Sequence, residues 1–152
     1  MRAKLPAAEG FVDRDGVKIF YEVYGNGPET MVFLPPWSIV HSRVYKAQIP
    51  YFSERCSCIT FDPRGNGRSD RPQDASAYTL ANFIADVLAV MDATEAGEAI
   101  LVGLSLAGVH ICAIAAYHPE RVKAAVLAGT AATIGPSYPH MVPQHFLAKR
   151  TS

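Results

Sequence analysis

No sign of charge prevails in this chain. Its fourteen Lys and Arg offset fourteen Asp and Glu, which argues against nucleic acid or an anionic membrane surface as the principal partner. Cysteine is sparse, at three residues. The count is odd and the Cys56-x-Cys58 spacing suits no zinc site. Reduced thiols in a cytoplasmic protein are therefore expected, with Cys112 and Tyr117 in the core. The opening MRAKLPAAEG lacks the apolar run of a secretory signal. Low-complexity tracts and internal repeats are absent. Only one long uncharged stretch occurs, the nineteen residues 99–117, which matches the length of a bilayer span. Gly103, Ser105 and Gly108 interrupt it, so a buried strand, a sharp turn and a buried helix are expected there instead, and no membrane span.

What is present suits one globular domain: 152 residues, 49% hydrophobic and 18% charged, enough to bury a single core. Val17, Ile19, Tyr21 and Val23 alternate with polar or exposed partners, the pattern of a half-buried strand. Asp13-Arg14-Asp15-Gly16 supplies the turn before it, from a short first strand at Phe11-Val12. Strands follow at residues 31–34 and 58–61, separated by a helical segment around Val44, Tyr45, Ile49 and Phe52 that Pro50 disturbs. Leu80, Phe83, Ile84, Val87, Leu88 and Met91 fall at i, i+3, i+4, i+7, i+8 and i+11. They predict an amphipathic helix with Thr79 as N-cap and Gly97 beyond its end. A strand at 100–104, a helix at 106–117 and a strand at 124–128 complete the series. Strands alternating with helices imply an α/β fold with an open, mostly parallel, doubly wound sheet covered on both faces.

One turn carries chemistry. Gly103-Leu104-Ser105-Leu106-Ala107-Gly108 joins a strand to a helix, which forces Ser105 toward a strained backbone with its hydroxyl above the strand ends. The residues two before and two after it must be small where strand and helix approach, and Gly103 and Ala107 are. The helix also aims free N–H groups at the space beside Ser105, where an oxyanion would develop. A Rossmann phosphate turn is the alternative, but Ser105 occupies the place where that motif needs glycine for the backbone to approach a pyrophosphate. No acidic residue follows at the expected distance either.

Three motifs in order resemble the N-terminal half of an α/β-hydrolase. The elbow G-x-S-x-G appears as Gly103-x-Ser105-x-Ala107. The turn D-x-R-G-x-G-x-S is matched by Asp62, Arg64, Gly65, Gly67 and Ser69. His118-Pro119-Glu120-Arg121-Val122 closes the helix after the elbow as in family members. The resemblance implies Ser105 as nucleophile and the Leu106 N–H as one oxyanion donor. Where the family usually writes H-G-x for the second donor, this chain reads Leu34-Pro35-Pro36-Trp37-Ser38. Proline has no N–H, so Trp37 is the first residue able to donate, with Ser38 next. The loop is similar to that of a bacterial subgroup, some members of which occur beside nucleotide-cyclase modules. Asp62, Arg64, Gly65 and Gly67 are expected to be scaffold, Arg68, Asp70 and Arg71 a solvated charged loop, and His41 a surface histidine near the pocket entrance.

The resemblance further implies a triad acid and then a histidine after the nucleophile, and neither is assigned to a residue of this chain. Ser105…Glu120…His140 satisfies the order only on paper, because no strand positions either partner; His110 and His118 ride a rigid helix that cannot fold them back, and His145 sits in an aperiodic tail. The expectation is therefore a fragment, with sheet and chain ending after about six strands. Residues 1–135 form the N-terminal part of one domain, and residues 136–152 form a loop or the start of a cap region. The last strand would be an unpaired edge open to self-association. The implied activity is serine hydrolysis of a small-molecule carbonyl substrate (ester, thioester or lactone), with no metal or cofactor. Aspartate-dependent dehalogenase or epoxide hydrolase chemistry is disfavoured, whereas carbon–carbon hydrolases and cofactor-free perhydrolases share the elbow. The competing class is a non-catalytic binding or signalling module on the same fold.

Overall fold

The computed structural model describes residues 4–36 and 40–130. Among the described residues six strands form one sheet in the order β1-β2-β4-β3-β5-β6. Their ranges are β1 Ala8–Arg14, β2 Val17–Tyr24, β3 Glu29–Leu34, β4 Cys56–Phe61, β5 Ala99–Leu104 and β6 Val122–Ala128. The β1/β2 and β2/β4 pairs are antiparallel, and β3/β4, β3/β5 and β5/β6 are parallel. The carboxyl ends of β4, β3, β5 and β6 therefore share one rim of the sheet. Helices are α1 Ile49–Phe52, α2 Leu80–Ala93 and α3 Leu106–Tyr117. The uncharged stretch divides into β5 and α3, and no helix among the described residues is long and apolar enough to cross a membrane.

Local chemistry accounts for the joints. Asp15 and Gly16 both take positive φ, 54° and 81°, the requirement of a two-residue hairpin turn whose twist matches its strands. Ordered pairing runs from Ala8 opposite Val23 to Arg14 opposite Val17, so β1 is longer than the two residues expected. The helical segment around Pro50 is two pieces, a 3₁₀ turn at Ser42–Tyr45 and α1 with its proline in the first turn. Thr79 caps α2, its side chain accepting from the Asn82 N–H at 3.1 Å. Gly97 lies beyond the end of this helix, and the stop itself is made by Glu95 and Ala96. Glu95 takes the left-handed conformation at φ 57°, and the N–H groups of Glu95 and Ala96 donate to the carbonyls of Asp92 and Met91. This is the hydrogen-bond pattern of a Schellman stop, usually a glycine. Because Glu95 is exposed, Glu95→Gly is expected to raise stability by about 0.5–1 kcal/mol, read as a higher urea midpoint at unchanged slope.

The sheet separates two apolar clusters. Val32 and Leu34 of β3 and Ile59 and Phe61 of β4 face α2 and α3, meeting Val87, Val90, Met91, Ile111 and Ile114. Met31, Phe33 and Cys58 face the other way, against Tyr45 and Ile49. Each fully buried Val, Leu, Ile or Met contributes about 1.5–3 kcal/mol relative to exposure. Three expectations need correction. First, β2 is not half-buried: Phe20, Glu22 and Tyr24 are buried as well as Ile19, because the strand lies inside the sheet with both faces covered. Second, Cys112 is exposed and Tyr117 half-buried, leaving Cys58 as the fully buried thiol. Burial pushes Cys58 up to about 12, which keeps it protonated and inert. Third, β6 is not covered on both faces: it is half-buried at Val122 and exposed from Lys123 to Ala128, with Val126 and Leu127 47% and 43% exposed.

Candidate active site

The loop after β4 is a scaffold built around two carboxylates. Asp62 is buried and accepts from the Ser42 N–H at 2.8 Å and the Arg68 N–H at 2.9 Å. Gly67, at φ 50°, passes so close that a Cβ there would lie 2.0 Å from Asp62 Oδ2. Ser69 donates to the Asp62 carbonyl at 2.6 Å and accepts from the Phe20 N–H at 2.8 Å. Asp70 accepts from the Lys18 N–H, and Arg68 lies 3.9 Å from the Phe20 ring centroid while pairing with Glu9. Arg68, Asp70 and Arg71 are exposed, as expected of a solvated charged loop, and the first two of them also tie it to β1 and β2. Arg64 is itself buried and grips Asp86 of α2 through Nε at 2.7 Å and a terminal nitrogen at 2.6 Å. Arg14 adds a third donor to Asp86 at 2.9 Å.

Against that scaffold, β5 rises to the shared rim and turns at Ser105 into α3. Ser105 has φ 56° and ψ −121°, a conformation that costs a non-glycine residue about 1–3 kcal/mol. It is exposed, and its N–H donates to the Ala128 carbonyl at 2.9 Å, pinning the turn to the end of β6. A Cβ on Gly103 would come within 2.7 Å of Ile111 Cδ1 and 2.9 Å of the Ala107 Cβ. Only small residues fit this crossing. Leu106 is the first residue of α3, so its N–H has no acceptor within the helix. Tyr45 anchors the neighbouring strand end by donating to the Leu34 carbonyl; burial pushes its phenol up to about 12, with the Leu104 backbone opposing the shift.

The other candidates are not gathered here. Trp37 and Ser38 lie outside the described residues, as do His140, His145 and the tail expected at 136–152. His118 and Glu120 are 3.7 Å apart beyond the far end of α3, a helix of twelve residues and hence about 18 Å long. Glu120 is 67% exposed there. Arg121, from the same motif, hydrogen-bonds the Ala96 and Gly97 carbonyls and Asp92, locking the loop after α2. His41 is exposed, and its Nδ1 accepts from the Arg43 N–H. His110 is buried, stacked on Phe83 at 3.9 Å between ring centroids, with Nδ1 lacking a partner among the described residues.

Comparison with known proteins agrees with this architecture. The chain is 36% identical over 132 residues to a cis-3-alkyl-4-alkyloxetan-2-one decarboxylase from Shewanella oneidensis, covering 84% of this chain and 40% of that protein. It is 28% identical over 119 residues to 3-oxoadipate enol-lactonase 2 from Acinetobacter baylyi, covering 78% and 44%. A solved N-acyl homoserine lactone degrading enzyme superposes with a TM-score of 0.76 at 31% identity, over 94% of this chain and 52% of that one. The chain thus spans less than half the length of these two curated relatives. The family model for the alpha/beta hydrolase fold matches residues 30–150, taking in the β4 loop, the strained serine turn and the sheet that joins them: the chain belongs to the alpha/beta hydrolase family.

Proposed function

We propose that Ser105 is the nucleophile of a hydrolase acting on a small ester, thioester or lactone. The observation that carries this reading is the backbone of Ser105, held at φ 56° on an exposed strand-to-helix turn that only Gly103 and Ala107 allow to close. Strain of this kind persists only where the surrounding structure overdetermines it. Here it raises a hydroxyl over the sheet rim beside the first N–H of a helix. The names of the relatives support the substrate class, because an enol-lactone, an oxetan-2-one and a homoserine lactone are all cyclic esters.

In the proposed reaction Ser105 Oγ bonds to the carbonyl carbon, and the carbonyl electron pair moves onto oxygen. That oxyanion accepts from the Leu106 N–H and, by family resemblance, from the backbone of Trp37. Collapse breaks the bond to the leaving oxygen or sulfur, which takes up the proton lost by Ser105, and an acyl-enzyme results. In a lactone the leaving oxygen stays tethered to the acyl group. Water then releases the acid and restores the serine. Proton transfer needs a base oriented by an acid, and neither role falls on a described residue.

A fluorophosphonate probe tests the reading on the 152-residue chain. Labelling of the folded protein that is lost in Ser105→Ala is the expected result. A folded sample that takes no label overturns the nucleophile assignment and favours a binding module on this fold.

A further inference from the structure

A cavity of about 780 Å³ lies on the face of the sheet opposite α2 and α3. Ser105 is not among its lining residues. Its floor comes from β2, which stands three strand positions from β5 in the sheet order, about 14 Å away at the usual strand spacing. The floor is polar. Glu22, Tyr24, Ser42 and Thr60 are each at most 8% exposed, and three hydroxyls converge on one carboxylate oxygen. Tyr24 lies 3.0 Å, Ser42 3.4 Å and Thr60 3.5 Å from Glu22 Oε2. No described group bonds Oε1, and no described cation forms an ion pair with Glu22. Burial and the Glu22 carboxylate push the Tyr24 phenol up, so it stays a donor.

The mouth carries the opposite charge. Lys4, Arg43 and Lys46 line the cavity. Lys4 is held by Ser53 Oγ at 2.8 Å, whereas the Arg43 and Lys46 side chains form no ion pair among the described residues. Leu5 and Val44 add exposed apolar wall. Oε1 opens to the cavity with room for a donor. A simple cation would have to pass three positive groups to reach it. A simple anion would be attracted to the mouth but repelled at the floor. A molecule with a donor at one end and an anion at the other satisfies both.

We propose that this cavity is a second ligand site, distinct from the Ser105 turn, that takes a small zwitterion with an apolar body, such as an amino acid. Its ammonium donates to Glu22 Oε1, and its carboxylate meets Arg43 and Lys46. The site owes nothing to the Ser105 assignment, and either can fail alone.

Ligand-observed NMR titration of the whole chain decides the matter, using phenylalanine, 3-phenylpropanoate and phenethylamine. These share a ring and differ only in which charged end is present. Phenylalanine is expected to bind at least about tenfold more tightly than either analogue. Glu22→Gln, which preserves shape and the hydroxyl contacts, should weaken phenylalanine about tenfold, and Arg43→Ala with Lys46→Ala should weaken it about fivefold or more. Ser105→Ala should leave it unchanged. The exposed Arg43 and Lys46 substitutions keep the test open if Glu22→Gln fails to fold. Equal binding of the three probes, or no binding of phenylalanine at millimolar concentration, overturns the proposal. Binding that is indifferent to both the Glu22 and the Arg43/Lys46 substitutions also overturns it.

Discussion

Replacing Asp86 with alanine is expected to destabilise the chain by about 3–5 kcal/mol, the cost of leaving a buried charge without its partner. Asp86 is fully buried and takes two bonds from Arg64 and one from Arg14. Arg64 is 5% exposed and, apart from Asp86, has only the Ala77 carbonyl at 2.8 Å among the described residues. Removing the carboxylate strands a guanidinium between α2 and the β4 loop. Total stability for a domain this size is about 5–15 kcal/mol, so the loss is a large share of it. Replacing both partners with apolar residues, as in Asp86→Leu with Arg64→Met, should cost less than Asp86→Ala alone, since no charge is then left buried. Arg14, with a side chain 21% exposed and bonded to Asp15 as well, can turn to solvent. Urea unfolding of Asp86→Ala, Asp86→Leu, Arg64→Met and the double variant, followed by circular dichroism, checks this. Additive losses in the double variant would mean that the pair is not coupled.

That pair also shows where sequence patterns stop being informative. The Asp62 to Ser69 motif is visible as a turn because glycine and aspartate declare it locally. What Arg64 reaches lies 22 residues away on a helix. A signal did exist there: Asp86 falls three residues after Phe83 and four before Val90, on the apolar side of α2, where a lone carboxylate needs a partner. In β2 the alternation of Val17, Ile19, Tyr21 and Val23 was real, but alternation says nothing about what covers the second face. A glutamate on that face reads as solvated until β4 and the 3₁₀ turn at Ser42–Tyr45 close over it. Helix α3 is apolar around its whole circumference and so carries no phase. Its buried side (Ala107, Ile111, Ile114) could not be told from the side bearing Cys112.

The Ser105 turn is the opposite case. Apart from the Ala128 carbonyl that pins it, what shapes it lies within six residues: a strand, a small residue on either side of the serine, and a helix beginning at once. Local steric rules therefore suffice to place it. The cavity over Glu22 draws on residues 4–6, 22–24, 40–46 and 60, segments with no common pattern. Their convergence depends on β2 pairing with β4 rather than with β3, a choice made by the whole sheet. Sites made of sequence neighbours are legible in a single sequence, and sites made by strand order are not.

Strand and helix packing also sets the second large expected effect, a loss of stability as pH falls from about 6.5 toward 4. His110 is 8% exposed on α3, and burial lowers its pKa from 6.5 to about 4. Its ring stacks on Phe83, and Nδ1 has no partner among the described residues. Above pH 6.5 the imidazole is neutral in both folded and unfolded chains, so it adds no pH dependence. Between 6.5 and 4 the unfolded chain binds the proton and the folded chain resists it, and stability falls with pH. At pH 5 the loss from this residue is about 2 kcal/mol, and below pH 4 it levels off near about 3 kcal/mol. His110→Leu abolishes that component. At pH 7.5 the variant should be as stable as the parent or about 1 kcal/mol more so, because an unsatisfied buried nitrogen has gone. Urea unfolding of both proteins at pH 7.5 and pH 5 isolates the effect, since every other titrating group is common to the two. The gap between them should widen by about 2 kcal/mol at the lower pH; a constant gap would place His110 in contact with water or with a partner able to stabilise its charge.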